Sequence, residues 1–354
     1  MKKIVLVVGT RPNFMKAFPV YEALKPHFDL YLIHTGQHYD KNMSKIFFDE
    51  LNFSDPDFYL NIKSRTQTSQ LGEIITKLED VLNTINPDLL IVFGDVTSTL
   101  AAALTANKMG IKLAHVEAGL RSYDMTMPEE VNRILTDNIS DYLFVTEESG
   151  IENLIKIGIS KDRIFLVGNT MIDSLIKYQD KIENTKYYES LKLEKNNYIV
   201  LTLHRPSNVD DNDYLKRIFN EIEKVAQKKR IIYPVHPRIK DKIKDIVSEN
   251  IILIDPLGYL EFINLVSNSY CVITDSGGIQ EETTFLNIPC LTLRSNTERP
   301  STFVENGGTN KLVNMDNLFD EYKNLKINNI VIKQNNLFDG KASDRILNVI
   351  QKIV

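Results

Sequence analysis

From Thr274 to Glu282 the chain reads Thr-Asp-Ser-Gly-Gly-Ile-Gln-Glu-Glu, directly after the apolar run Tyr270-Cys271-Val272-Ile273. A buried strand running into a tight glycine turn and then a helix predicts a seat for phosphate. Ser276, Gly277 and Gly278 leave backbone N–H groups bare at the positive end of a helix dipole. Glu282 lies further along the same helix, placed to accept from ribose hydroxyls. A glycine turn alone signals phosphate only weakly. It gains weight from a second set of groups in the other half of the chain.

That second set opens with Gly9-Thr10-Arg11-Pro12-Asn13-Phe14-Met15-Lys16. Pro12 suits the first turn of a helix, so Arg11 stands at the preceding strand end and Lys16 about one turn on. Two cations converging there suit a diphosphate, Arg11 with a bidentate fork. Solvated surface charge is the bland alternative, but cations at a helix N-terminus oppose its dipole. Gly94-Asp95 precedes an alanine-rich helix, and Asp95 reads either as an N-cap or as a reactive carboxylate. His115 and Glu117, two residues apart on one strand, are expected to share a face. Pro128-Glu129-Glu130-Val131-Asn132-Arg133 reads as a helix start with favourable acids and a Glu129–Arg133 pair. Together Asp95, Glu117 and Glu129 supply carboxylates for removing and returning a proton.

In the second half, Leu203-His204-Arg205-Pro206 and Val235-His236-Pro237-Arg238 each put a histidine at a strand end, where it would donate to phosphate or ribose oxygens. Glu298-Arg299-Pro300 adds a cation at the same sheet edge. His34 and His38 have a metal-like spacing, but Gly36 between them argues for a loop, and no metal is expected. The Walker loop, the nicotinamide glycine fingerprint and paired C-x-x-C are absent from the sequence.

Short β-branched runs alternate with longer amphipathic segments, the pattern of βα units and parallel sheets. Strands are expected at Lys3–Val8, Leu30–His34, Leu89–Phe93, Lys112–His115, Tyr142–Val145 and Ile164–Val167. The pattern restarts at Tyr198–Leu203, Ile231–Val235, Ile251–Ile254, Cys271–Ile273, Cys290–Leu293 and Lys311–Val313. Tyr178–Asn197 reads as a linker or solvated helix. Ala342–Val354, with Ile346, Leu347, Val349, Ile350 and Ile353 at helical spacing, reads as an amphipathic helix needing a surface to dock on. Two doubly wound domains facing each other across a cleft is the economical architecture for 354 residues. A net charge of −5 offers no basic field for nucleic acid or a membrane surface, so local cations must hold any anion. The two cysteines sit in apolar runs and suit a reducing cytosol. The N-terminal run is too short for a signal peptide, and no apolar run approaches the ~20 residues of a membrane span.

Taken in order, Gly9-Thr10-Arg11-Pro12, Gly94-Asp95, His115-Val116-Glu117-Ala118-Gly119-Leu120-Arg121, Pro128-Glu129-Glu130, His204-Arg205 and Asp275 through Glu282 resemble the non-hydrolysing UDP-N-acetylglucosamine 2-epimerases over nearly the whole chain. The resemblance implies an α/β fold of two Rossmann-like domains in the glycosyltransferase-B-like arrangement. Residues 1–172 would form the first domain and 173–341 the UDP-binding second, with helix 342–354 crossing back. It implies interconversion of UDP-GlcNAc and UDP-ManNAc through 2-acetamidoglucal, without a cofactor, by a cytoplasmic homodimer. By position, Asp95, Glu117 and Glu129 resemble the family's catalytic carboxylates and His204 its active-site histidine. Arg11, Lys16 and Arg133 fall on the sugar and phosphate pocket. Ser276, Gly277 and Gly278 fall on the phosphate turn, Glu282 on the ribose ligand, and His236 and Phe262 near phosphate and uracil.

The sequence departs from the family pattern in two places. Asn13-Phe14 stands where well-known bacterial members carry Glu-Ala, which bears on the sugar pocket. Of two glutamines that help hold a second substrate in allosteric members, Gln37 matches one and Asp40 replaces the other, so weak or absent substrate activation is expected. A sister epimerase acting on a UDP-diacetamido-uronic acid is the nearest rival. Pro12 disfavours the hydrolysing epimerases. A glycosyltransferase would need an acceptor groove, and a non-catalytic sensor would leave the acid–base positions without purpose.

Overall fold

Runs such as Lys3–Val8 and Leu89–Phe93 are apolar on both faces, which suits strands of a parallel sheet covered by helices on either side. A computed structural model describes residues 1–36, 53, 55–235, 237–325 and 337–354. The chain divides into two units, Met1–Lys177 with Asn336–Val354, and Tyr178–Asn335. The division falls at the end of helix Thr170–Lys177.

The first unit carries β1 (Lys3–Val8), β2 (Asp29–His34), β3 (Phe58–Tyr59), β4 (Leu89–Phe93), β5 (Lys112–Ala118), β6 (Tyr142–Val145) and β7 (Ile164–Leu166). They form one parallel sheet in the order β3-β2-β1-β4-β5-β6-β7. The second unit carries β8 (Tyr198–Thr202), β9 (Arg230–Pro234), β10 (Ile251–Ile254), β11 (Cys271–Thr274), β12 (Cys290–Leu293) and β13 (Asn310–Val313). Its sheet, also parallel, runs β10-β9-β8-β11-β12-β13. Both orders are doubly wound. The chain builds outward from the first strand, then returns to its other side, and the diverging connections open a crevice at the carboxyl ends of the two central strands. The switch points are therefore β1/β4 in one unit and β8/β11 in the other. Gly9 and Gly94 end the first pair; Leu203-His204 and Asp275-Ser276 end the second.

The expected strands are present, and β5 runs three residues further than expected, through Ala118. The two-residue β3 has no period to read. Helix Gln67–Ile85 buries Ile74, Leu78, Leu82 and Ile85 on one stripe against the first sheet. Helix Asn212–Ala226 does the same in the second unit with Leu215, Ile218, Phe219 and Ile222.

The linker reading of Tyr178–Asn197 is corrected. The segment forms helices Gln179–Thr185 and Tyr187–Ser190, with Ile182 buried and Tyr187, Tyr188, Leu191 and Leu193 packed on the second unit's core. Asn264 holds both helices, donating to the Ile182 carbonyl and accepting from the Tyr188 N–H. Its apolar groups are spread over two short helices, so no long period betrays them.

The terminal helix, Ala342–Ile353, docks as expected, with Ile346 and Ile350 buried against helices Arg11–Leu24 and Thr170–Lys177. The Asp173 carboxylate accepts from the Ala342 and Ser343 N–H groups and from the Ser343 hydroxyl, satisfying donors that helix starts leave bare.

Candidate active site

At the β1/β4 switch point the turn after β1 is tied to the end of β4 by Asn13. Its amide oxygen accepts from the Thr10 N–H at 3.2 Å and the Thr10 hydroxyl at 3.1 Å, and its nitrogen donates to the Phe93 carbonyl at 3.0 Å. Asn13, one of the two departures from the family pattern, is thus a buried clamp. Phe14 is buried beside the His34 ring, which stacks on Tyr59 and accepts the Gly36 N–H at Nδ1. His38, Gln37 and Asp40 lie outside the described residues, as does His236. Arg11 opens helix Arg11–Leu24 at the strand end.

Lys16, on the same helix, ion-pairs with Glu117, and both are buried. The pair answers the objection to a cation near a helix N-terminus. Glu117 sits at φ +73°, in the left-handed region where a glutamate is strained, and the β5–β6 register slips between Val116 and Ala118. This bulge corrects the expectation that His115 and Glu117 share a face, because strand alternation does not survive it. His115 is fully buried, held by Asp137 at Nδ1 (2.7 Å) and by the Gly94 carbonyl at Nε2 (2.8 Å). Asp137 also accepts from Arg121 at 2.6 Å and from the Gly119 N–H. That buried network fixes Gly94, the residue before Asp95.

Asp95 does not cap the helix that follows it; that position belongs to Val96. Its carboxylate instead takes the Nε and Nη2 of Arg133 at 3.1 and 2.7 Å, and its carbonyl accepts from Asn132. The Arg133 pairing expected with Glu129 goes to Glu130 instead, at 2.6 Å. Glu130 is 0% exposed and also accepts from the Ser122 N–H, the Ser122 hydroxyl and the Tyr123 N–H. Glu129 is half-buried and has no hydrogen bond or ion pair among the described residues. Lys16 with Glu117, and Arg133 with Asp95, therefore form two ion pairs at adjoining strand ends, with Glu129 on the helix that carries Arg133.

In the second unit the hub is Asp275, which pattern reading passed over as part of the glycine turn. Fully buried, it accepts the His204 N–H at 3.1 Å, the Arg205 N–H at 2.9 Å, the Asn208 amide at 3.0 Å and His204 Nδ1 at 3.0 Å. Burial alone would raise its carboxyl, but the His204 ring, the Arg205 N–H and the Asn208 amide outweigh that and hold it below the usual carboxylate range. His204 itself is 60% exposed. Ser276 is the N-cap of helix Gly277–Leu286 without spending its side chain on the cap, but its own N–H, expected to be bare, is taken by the Thr274 hydroxyl at 3.0 Å, so the helix start offers an anion the Gly277 and Gly278 N–H groups. A Cβ at Gly277 would run into the Glu298 carboxylate and lie 2.7 Å from an Arg299 nitrogen, so a larger residue would have to displace that ion pair. Arg299 is no bare cation: Glu281, at 2.9 Å, and Glu298 neutralise it. Glu282 is buried on the same helix, beside Tyr259. Burial, then the neighbouring Glu282 carboxylate, push the Tyr259 phenol well above its ordinary value, so it stays protonated. Phe262, one turn on from Tyr259, packs half-buried against the core.

The family model for UDP-N-acetylglucosamine 2-epimerase matches residues 22–351. The chain is similar to a UDP-N-acetylglucosamine 2-epimerase of Methanocaldococcus jannaschii, 42% identical over 363 residues and 98% of each chain. It is also 41% identical to a UDP-2,3-diacetamido-2,3-dideoxy-D-glucuronate 2-epimerase of Pseudomonas aeruginosa, over 84% of each. The crystal structure of the M. jannaschii UDP-GlcNAc 2-epimerase in complex with UDP-GlcNAc and UDP superposes with a TM-score of 0.90 at 41% identity, covering 99% of each chain. A Phytolacca americana glycosyltransferase, at 11% identity and a TM-score of 0.59, shares the two-domain glycosyltransferase-B-like fold alone. With sheet order, strand-end groups and these matches in agreement, the chain is an epimerase and belongs to the UDP-N-acetylglucosamine 2-epimerase family.

Proposed function

We propose that the protein interconverts UDP-GlcNAc and UDP-ManNAc without hydrolysis. The C2 proton is taken by a carboxylate, its electron pair becomes the C1–C2 double bond of 2-acetamidoglucal, and the C1–O pair leaves with UDP. Return of a proton to the opposite face of C2, with attack of the diphosphate oxygen on C1, gives the epimer. The observation that carries this reading is the ion-paired carboxylate set of Asp95 and Glu117, with Glu129 beside it, at the β1/β4 switch point. A transferase has no use for acid–base groups gathered at the donor sugar, whereas inversion at C2 needs one on each face.

Asp95, Glu117 and Glu129 share this work. Charge develops on the diphosphate as C1–O breaks, and preorganised donors aimed there supply the largest rate term. Those donors are the Gly277 and Gly278 N–H groups of the Ser276–Gly278 turn, with His204, Arg11 and His236. Lys16 and Arg133 hold the carboxylates and face the sugar and phosphate, Glu282 takes the ribose hydroxyls, and Phe262 borders the uracil. A cytoplasmic homodimer belongs to the same reading, supported by the family resemblance and testable by light scattering.

The test is incubation with UDP-GlcNAc in deuterated water. Deuterium should enter C2 of both epimers, and Asp95→Asn and Glu117→Gln should each slow it ~10²-fold or more. Release of free ManNAc, or exchange at wild-type rate in both variants, would overturn the proposal. The Pseudomonas relative keeps a second sugar in play, and a higher kcat/KM for the UDP-diacetamido-glucuronate would transfer the reading to it.

A further inference from the structure

We propose that Asp275 is a positioning residue that keeps Nδ1 of His204 protonated and so makes Nε2 the working nitrogen of that histidine. The inference rests on the epimerase reading for what Nε2 then does. Asp275 lies at the end of β11 and His204 just past the end of β8, the two strands that flank the switch point. Thr202 and Thr274 are hydrogen-bonded across the same pair of strands, and the Ser276 N–H donates to the Thr274 hydroxyl, so the two strand ends are held in register.

An ionised carboxylate only accepts. Both Asp275 oxygens are already engaged by the backbone N–H groups of His204 and Arg205 and by the Asn208 amide, all donors. The remaining contact, 3.0 Å to Nδ1, must therefore be a donation from the ring. That leaves Nε2, on a ring otherwise exposed, with no hydrogen bond among the described residues. The ring takes and returns a proton at Nε2 alone. When doubly protonated it donates to the diphosphate oxygen as C1–O breaks, with Asp275 as its buried counter-charge.

Asn at 275 separates this role from packing. Its carbonyl can still accept the His204 and Arg205 N–H groups, but its –NH₂ then faces the ring. Nδ1 has to accept, the proton moves to Nε2, and the counter-charge is gone. The corresponding change in a serine protease triad costs ~10⁴-fold in kcat through the wrong tautomer.

Three measurements test the proposal. Nitrogen NMR of ring-labelled histidine, with His204→Gln identifying the signal, should show the neutral wild-type ring protonated at Nδ1 and the Asp275→Asn ring protonated at Nε2. Asp275→Asn should lower kcat by roughly 10²- to 10⁴-fold. The same substitution in a His204→Gln background should cost nothing further, because a residue acting through another is silent once that other is gone. A wild-type ring protonated at Nε2, an undiminished kcat, or full additivity of the two substitutions would overturn it. If Asp275→Asn fails to fold, the wild-type spectrum alone decides. That spectrum needs no turnover, so a wild type that exchanges no deuterium at C2 would sink the epimerase reading and leave the Asp275 assignment to be judged separately.

Discussion

Glu129 and Glu130 are neighbours on one helix, and their substitutions to glutamine should fail in opposite ways. Glu130 is 0% exposed and accepts from Ser122 twice, from the Tyr123 N–H and from Arg133. Glutamine there keeps one acceptor oxygen and turns an –NH₂ toward groups that are themselves donors. Hydrogen bonds to a charged group are worth about 1.5–3 kcal/mol each. Losing roughly two of them beside a buried guanidinium puts Glu130→Gln at about 3–5 kcal/mol. For a unit of this size that lowers Tm by roughly 6–20 °C. Glu129 has no such partners among the described residues, so Glu129→Gln should stay within about 0.5 kcal/mol of wild type. Its turnover, however, should fall ~10²-fold or more. Thermal melts by circular dichroism and the C2 deuterium assay, run on both variants, separate the two. Equal melting temperatures with turnover lost only in Glu130→Gln would show that the roles are reversed and that burial is a poor guide here.

Gly277→Ala should destabilise the fold by about 1–3 kcal/mol through overpacking against the Glu298–Arg299 pair and, by shifting the turn, weaken UDP binding in calorimetry; unchanged affinity would remove the glycine turn from the site. Asp173→Ala strips the acceptor from the Ala342 and Ser343 N–H groups, a loss of about 0.5–2 kcal/mol, and should make the terminal helix the first segment cut in limited proteolysis. Glu73, held by Lys77 and the Ser64 hydroxyl and then by the Ser64 and Lys63 N–H groups, has its carboxyl pulled down to about 2. A lowered carboxyl stabilises the fold above its unfolded value of ~4.3, and that contribution is lost as pH falls toward 2. The Tm gap between wild type and Glu73→Gln should therefore be constant from neutral pH to about pH 5 and close below it; a gap independent of acid would show that Glu73 acts by packing.

Much of this protein is local in origin. Apolar runs such as Leu89–Phe93 have no alternative to a buried strand, and the Ser276-Gly277-Gly278 turn needs only its own backbone to bare N–H groups at a helix start. The terminal helix announces its docking through the spacing of Ile346 and Ile350. The positions of Asp95, Glu117 and His204 near strand ends were equally legible, because Asp95 and His204 follow strands in the chain and Glu117 is the next-to-last residue of β5.

What each of those side chains touches was decided by the tertiary structure. The preference of Arg133 for Glu130 and Asp95 over Glu129 depends on how its helix lies against the end of β4, 38 positions away in the chain. Nothing in Lys112–Ala118 foretells the slip at Val116 that turns Glu117 out of alternation and toward Lys16. The pairing of Asp275 with His204 joins residues 71 positions apart, and it exists because doubly wound order returns β11 to the side of β8. Strands and turns follow from the conformational preferences of a few successive residues. Partners of buried charges follow from strand order, which is set when each sheet's apolar faces are covered by its own helices, and that closure has no signature in any short stretch of sequence.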